Sequence, residues 1–233
     1  MTQRHRENVC LAVGKQVSFI EAKAINPMIS TMEWAQSFGI SVEANPAPLA
    51  HLSEPYPRTA LEIAGRAVIL QCIVSAAWEV DPEALILGLQ DEGIWEAVSP
   101  AVKILLLENR PSAKQRNAFR WRQEAEWTLL WMIGKVEALG LPTQTCDTRH
   151  MVDEIIPALG SDITEFVASA ELRHPEILYA EDECTYDLWC RAIPARRENM
   201  LPYDLNMDVL YERRYAFEWA DSTEQWDKIT CDE

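Results

Sequence analysis

Apolar positions recur at helical spacing along most of the chain, most densely between residues 119 and 142. From Trp127 to Val136 only Lys135 is charged, and a helix that is apolar on every side is normally enclosed by other helices. Its inward stripe is Trp121, Ala125, Leu129, Met132 and Val136. Ser112 and Gln115 have capping-box spacing before it, and Gly140 with Pro142 is a stop signal after it. We therefore predict one long central helix from about residue 113 to 139.

Helix-start signals divide the rest of the chain into further helices. They are Ser30 with Glu33, Thr59 with Glu62, Asp81 with Pro82, Ser99 with Pro100, and Asn206. The helix after Thr59 is expected to reach about residue 78 with Leu61 on its inward side. Further helices are expected at about residues 152–159, 163–172 and 175–193, and Asn206 is expected to begin a last helix over residues 207–220. Because short connections separate these helices and no strand period lies between them, we predict an all-α, multi-helix globular domain around the central helix.

The first 57 residues form a separate segment in this interpretation. Residues 9–24 fit either a helix or a strand, so a minor extended or strand-like piece remains open. A short helix follows at about residues 31–38, and four prolines between residues 46 and 57 predict an extended loop. The predicted organisation is an N-terminal segment, residues 1–57, and a helical core domain, residues 58–233.

Charge is distributed unevenly along the chain. The net charge is −16, and residues 151–233 alone hold 20 acidic and seven basic residues. Such a surface repels nucleic-acid phosphates and anionic lipid headgroups, so we expect neither a nucleic acid nor a membrane as partner. It would attract a basic protein. The alternative is that the acidic residues only keep the protein soluble.

Cysteine usage and the apolar runs bear on the compartment. Six cysteines are scattered without a CxxC pair: Cys10, Cys72, Cys146, Cys184, Cys190 and Cys231. The longest uncharged run, residues 67–78, is shorter than the ~20 residues that span a bilayer. Lys15 and Gln16 interrupt the apolar core that a signal peptide needs. We expect a reduced, cytoplasmic protein.

Two groups of charged residues border the predicted core. Glu124 lies at the edge of the central stripe, where an unpaired carboxylate is costly, and Arg120 is placed to pair with it along the helix. In the last helix Arg213 and Arg214 fall on the inward side. We hypothesise that Glu124 or Glu212 meets one of these two arginines. Such a pair would either fix the packing of the helices or form part of a ligand pocket.

Motifs for metal, nucleotide or nucleophilic chemistry are not found. Cys146, Asp147 and His150 could supply ligands from one turn, but no second Cys/His pair follows at a familiar spacing. The chain contains no HExxH, GxSxG, GxGxxG or phosphate-loop sequence. We therefore expect no metal and no cofactor, and a non-enzymatic domain is favoured over an enzyme.

Several segments resemble the bacterial family catalogued as domain of unknown function 4272. In chain order these segments are MEWAQSFGI, RTALEIAGRA, VSP, FRWRQEAEWTLLWMIG, LRHPEIL, ERRYAFEW and WDKITCDE. They extend over about residues 32–233. The resemblance implies a polar signature at Arg122, Glu124, Glu212, Arg213, Trp219, Trp226 and Asp227.

One segment departs from the family pattern. Where relatives tend to have Tyr-Arg-Leu-His-Trp-Ala, this chain has the residues from Tyr186 to Arg191, which lack that histidine and that arginine. The departure weakens any proposal that this helix supplies catalytic groups. The resemblance implies no activity that can be transferred, and it suggests a setting near secreted-toxin systems.

These observations lead to two expectations about function. The first is a protein-binding domain, most concretely immunity- or antitoxin-like, that presents Glu181, Asp182, Glu183 and Asp187 as an acidic face to a basic partner. The second is an enzyme or small-ligand protein whose pocket for an anionic ligand is built from Arg122, Glu124, Arg213 and Trp219. An adaptor whose partner is not basic remains a third alternative.

Overall fold

The computed structural model describes residues 31–37, 56–108, 111–198 and 205–231. Within these ranges the chain is helical and contains no strand, which confirms the predicted all-α class. The helices are α1 (Thr31–Ser37), α2 (Ala60–Ala77), α3 (Pro82–Asp91), α4 (Pro100–Glu108), α5 (Ala113–Met132), α6 (Thr148–His150), α7 (Thr164–Ala168), α8 (Pro175–Arg197) and α9 (Met207–Ala220). Three predictions lie outside the described residues: the cap at Ser30, the helix or strand over residues 9–24, and the loop up to residue 55.

Helix α5 is the predicted central helix. The Ser112 hydroxyl accepts from Gln115 N–H while the Gln115 side chain accepts from Ser112 N–H, so the capping box is formed at its start. All ten residues from Glu124 to Ile133 are buried. The helix nevertheless ends at Met132, seven residues before the predicted end, because Gly134 takes the left-handed conformation with φ +73°.

Two arginines from distant elements bind carbonyls at the end of α5 and in the turn that follows it. Arg173 donates to the carbonyls of Trp131, Val136 and Glu137. Arg213 in α9 donates to the carbonyls of Leu139 and Gly140, at 2.9 and 3.0 Å. Cations are favourable at a helix C-terminus because its unpaired carbonyls carry partial negative charge. The turn after α5 is therefore held by side chains that are remote in sequence.

Helices α2 and α9 pack against α5 and build the main core. Thr59 and Glu62 form the capping box that starts α2, as predicted. The Trp131 and Phe217 rings meet edge to face at 6.1 Å between α5 and α9. By length and composition α2 alone among the described helices could cross a membrane, and 72% of this 18-residue helix is buried inside the fold.

Helix α8 packs on α9 and closes a second, smaller core. The helix continues through Pro194 to Arg197, beyond the predicted end at residue 193. Helix α1 packs on α8, and its Ala35 belongs to this second core. Part of the segment assigned to residues 1–57 is thus in contact with the helical core domain.

The segment between α5 and α8 is less helical than predicted. Helices were expected at residues 152–159 and 163–172, whereas the structure has α6 with a π-helical turn at Met151–Ile155, and the short α7. The Asp147 carboxylate accepts from His150 N–H and so starts the first helix four residues early. This helix ends at Ile155, and the proline at position 157, two residues later, cannot continue it.

Residues 221–231 return to the beginning of α4. The Asp227 carboxylate accepts from Ser99 Oγ at 2.7 Å and from Ala101 N–H at 3.0 Å. Trp226 is buried, and its carbonyl accepts from the Tyr215 hydroxyl at 2.6 Å. A carboxylate at a helix N-terminus is stabilised by the N–H groups that point out of it. Asp227 therefore fixes the returning segment to the start of α4.

Candidate functional site

A buried ion pair joins α5 to α9. Arg122 Nη1 lies 2.9 Å from Glu212 Oε2, and the Arg122 guanidinium stacks 4.1 Å from the Tyr215 ring centroid. Glu212 is only 4% exposed, and burial raises its pKa to about 7 even though the adjacent guanidinium acts in the opposite direction. Glu212 therefore pairs with Arg122, not with the arginine that follows it in the sequence.

Glu124 and Arg213 lie near each other, but neither makes an ion pair with the other among the described contacts. Glu124 Oε1 accepts from Cys146 N–H at 2.8 Å. Arg213 binds the carbonyls after α5; burial lowers its pKa, while the negative charges of Glu181 and Glu124 oppose that shift. The hypothesised direct pair of Glu124 with an arginine of α9 is wrong in this form, and Arg213 instead fixes the turn after α5.

Arg214 is directed toward α8. It forms an ion pair with Glu218 one turn later, at 3.2 Å, and its guanidinium lies 5.0 Å from the Tyr186 ring centroid. Stacking and a carboxylate within the same helix hold this side chain against α8. Its contacts are those of a residue that joins two helices.

Glu126 is the most isolated charged group of the polar core. It is 0% exposed, and neither carboxylate oxygen has a hydrogen-bond partner in the described structure. Burial raises its pKa well above the usual carboxyl range. Burial and the charge of Glu126 together raise the pKa of Cys72, which places this carboxyl on the side of α5 that faces α2.

Six charged residues are candidates for the pocket, and none of them lines any of three clefts in the described ranges: Arg122, Glu124, Glu212, Arg213, Arg214 and Asp227. Asp227 is bound at the start of α4, and the other five are largely buried. Close packing favours a structural role for them. The predicted aromatic members behave differently, since Trp219 and Trp226 both line a cleft.

That cleft lies between α2, the segment from Ile94 to Lys103, Trp219 at the end of α9, and residues 223–226 of the returning segment. Its volume is about 530 Å³, within the range of ligand pockets. Three cationic side chains line it, namely Arg58, Arg66 and Lys103, together with the carboxylates of Glu62 and Glu96. The cleft is thus the described cavity in which cations and tryptophans meet.

Each predicted acidic residue of α8 has a different environment. Glu181 points inward, hydrogen-bonded to Thr31 and close to Arg213. Asp182 accepts from the Tyr56 hydroxyl at 3.3 Å, and Glu183 lies near Asp187. Glu218 and Asp221, at the end of α9, complete a cluster with Asp182. We refer to Asp182, Glu183, Asp187, Glu218 and Asp221 as the acidic face.

The three side chains weighed as metal ligands have separate local roles. Asp147 caps α6, Cys146 donates its N–H to Glu124, and His150 lies 3.4 Å from Glu154. No group of three or more His, Cys, Asp or Glu side chains in the described ranges could hold a metal ion. The described cysteines, at positions 72, 146, 184, 190 and 231, are all free.

Sequence reasoning did not single out the cations of the cleft. Arg66 carried a usable signal, because it and Glu62 are the only charged residues of α2. A lone charge in an apolar helix needs a special environment. Arg58 and Lys103 offered no comparable signal, since both lie at helix borders where charges are common. The contribution of Glu218 and Asp221 to the acidic face depends on how α8 and α9 pack.

Comparison with known proteins gives one match. A family model described as Domain of unknown function (DUF4272) matches residues 30–229. A search of curated proteins and a search of solved structures returned no match.

Proposed function

We propose, from the premise that this chain belongs to the DUF4272 family, that it is a non-enzymatic binding domain whose acidic face binds a basic protein. The finer form of the proposal is an immunity- or antitoxin-like role in the cytoplasm, in which this domain covers the basic surface of an effector. The function requires only a stable helical scaffold and a surface of one charge sign, and no catalytic group enters it.

Clustering of carboxylates from two helices is the observation that carries this proposal. Burial, together with the neighbouring charges of Glu218, Asp221 and Glu183, raises the pKa of Asp182 to about 7. Like charges held this close repel one another. A bound cation would relieve the repulsion, so part of the binding free energy would come from the geometry of the free protein.

The net negative charge of residues 151–233 adds long-range electrostatic attraction to the acidic face. Residues 151–233 carry a net charge of −13, so a basic partner would be attracted before contact. Arg214 lies beside the face and forms an ion pair with Glu218, so it offsets the charge of one of the five carboxylates.

A charge-neutralised variant tests the proposal. Glu183→Gln, Asp187→Asn, Glu218→Gln and Asp221→Asn are combined, and the matched control carries Asp91→Asn, Glu108→Gln, Glu137→Gln and Glu171→Gln at exposed positions elsewhere. Both change the net charge by the same amount. Tagged proteins are used to capture partners from source lysate, and association rates with the purified partner are then measured against salt.

The expected result is a basic partner that the wild type and the control retain and the face variant loses. Its association rate should fall as salt rises, and the face variant should flatten that dependence. A partner that binds the face variant and the wild type at the same rate would refute the acidic face as the binding surface.

A further inference from the structure

The cleft of about 530 Å³ between α2 and the returning segment has a cationic floor. Arg58 and Arg66 lie against the same ring: their guanidinium carbons are 4.8 and 5.2 Å from the ring centroid of Trp219. Arg66 is also 5.4 Å from the Trp226 ring centroid. Indole faces attract cations, so the two rings hold the guanidiniums in place.

The Arg66 guanidinium has hydrogen-bond donors without acceptors in the described structure. It is 8% exposed, and it donates one hydrogen bond, from Nη2 to the Ala97 carbonyl at 3.0 Å. Its Nε and Nη1 atoms have no acceptor among the described residues. The carboxylate whose charge acts most strongly on Arg66 is that of Asp227. Both of its oxygens already accept hydrogen bonds, from Ser99 and Ala101. Both atoms are themselves buried, so an anion would reach them only if the cleft wall shifts; because buried donors without acceptors are costly, an acceptor that reached them would be favoured.

The two arginines also repel each other. Burial and, to a smaller extent, the charge of Arg58 lower the pKa of Arg66 to about 10. Arg58 has a carboxylate partner, Glu62, at 3.3 Å, and Lys103 has one, Glu96, at the same distance. Both of these carboxylates are exposed to solvent, and exposed ion pairs contribute little. An anion in the cleft would therefore meet cations that are only weakly neutralised.

The remaining wall of the cleft is apolar. Leu61, Ile94 and Val167 line it, and Leu61 is one of the most exposed large apolar side chains in the described ranges. Gly65 in the middle of α2 also lines it, and a Cβ built at Gly65 would meet no atom within 4 Å. Glycine in a helix costs about 0.5–1 kcal/mol relative to alanine. Here it leaves open space beside Arg66.

We infer that this cleft binds a small amphipathic anion, with a carboxylate or phosphate group at Arg66, Arg58 and Lys103 and an apolar body along Leu61 and Ile94. Guanidiniums bind such oxygens through paired N–H donors, and the apolar wall adds hydrophobic burial. This site is separate from the acidic face, none of whose residues line the cleft.

Calorimetric titration with four probes tests the inference. Octyl phosphate and octanoate carry both a head and an apolar body, octanol lacks the charge, and inorganic phosphate lacks the body. We expect one octyl phosphate per chain and binding at least about tenfold weaker for octanol, because the charge-assisted hydrogen bonds are lost. Inorganic phosphate alone should also bind at least about tenfold more weakly, for want of buried apolar surface.

Gly65→Leu supplies a variant that removes no polar group. Leucine is a good helix former, so the domain is expected to fold, and its side chain would occupy the open space. We expect octyl phosphate affinity to fall at least about tenfold, as for loss of about 1.4 kcal/mol. Gly65→Ala is the matched control and should bind like the wild type. Lys103→Gln should weaken octyl phosphate and leave octanol unchanged.

Three outcomes would overturn the inference. The first is equal binding of octanol and octyl phosphate, which would show that the negative charge of the ligand does not contribute to binding. The second is a Gly65→Leu variant that is folded, as judged by its melting curve, and binds octyl phosphate as tightly as Gly65→Ala. That result would show that octyl phosphate does not bind in this cleft. The third is flotation with phosphatidylglycerol vesicles without binding of dispersed octyl phosphate, which would indicate a lipid surface as the ligand.

Discussion

The buried carboxyl of Glu126 should make the stability of this domain fall as pH rises. Glu126 is completely buried without a hydrogen-bond partner in the described structure, and burial raises its pKa well above the usual range. In the unfolded chain the same carboxyl titrates near 4.3. Between the two pKa values the folded state keeps a proton that the unfolded state has released, so the free energy of unfolding decreases with increasing pH.

Glu126→Gln is the perturbation that isolates this effect. Glutamine keeps the shape of the side chain and does not titrate, so the other raised carboxyls contribute equally to both proteins. Because burial raises the folded pKa well above the unfolded value, linkage over pH 5 to 6 gives up to about 1.2 kcal/mol. The free energy of unfolding of the variant relative to the wild type should rise by that amount across this one pH unit.

Urea denaturation at pH 5, 5.5 and 6 measures the difference, with Glu137→Gln at an exposed position as the matched control. The absolute offset between variant and wild type does not enter the argument, because the glutamine amide also lacks partners in this site. A difference that stays constant over the three pH values would refute the reasoning, since it would mean that Glu126 has the same pKa in both states.

Three further perturbations test the fold and its ion pair. Glu79→Gly should raise the free energy of unfolding by about 0.5–1 kcal/mol, because Glu79 holds φ +66° after α2, where glycine is not strained; a loss measured by urea denaturation would contradict this. Asp227→Ala should lower the free energy of unfolding by about 2 kcal/mol in the same assay, because Ser99 and Ala101 lose a charged acceptor at the start of α4. An effect below about 0.5 kcal/mol would show that this contact does not stabilise the fold. Arg122→Met should lower the free energy of unfolding by about 3 kcal/mol, because Glu212 would be left without its cation. The double variant with Glu212→Met should recover much of that loss, and a double variant no more stable than the single one would contradict the pairing of these two side chains.

Local signals placed most helix starts correctly. The boxes at Thr59 and Ser112, and the Asn206 cap of α9, involve groups no more than three residues apart, so the sequence contains both partners. The end of α5 was missed for a non-local reason. Gly134 and Gly140 both take a positive φ, and the early stop is held by Arg173, whose guanidinium arrives from about forty residues further along the chain.

The candidate site was predicted less well than the fold. Residue types indicated that the arginines of α9 would be buried, and Arg213 is, but its acceptors are carbonyls that any residue could supply. Leu61 was placed on the inward side of α2, whereas it is exposed at the rim of the cleft. Both outcomes depend on where the chain returns after α9, and helical periodicity does not carry that information.

Attachment of residues 226–228 to α4 has a consequence for the order in which the domain is made. During translation every helix that Trp226 and Asp227 contact leaves the ribosome before they do, and the Asp227 carboxylate meets a serine 128 positions earlier in the chain. Until then the start of α4, the Tyr215 hydroxyl and the indole of Trp219 would lack their last partner. A nascent chain that has emerged only as far as residue 225 should therefore expose apolar surface to chaperones, and emergence of the next few residues should bury it.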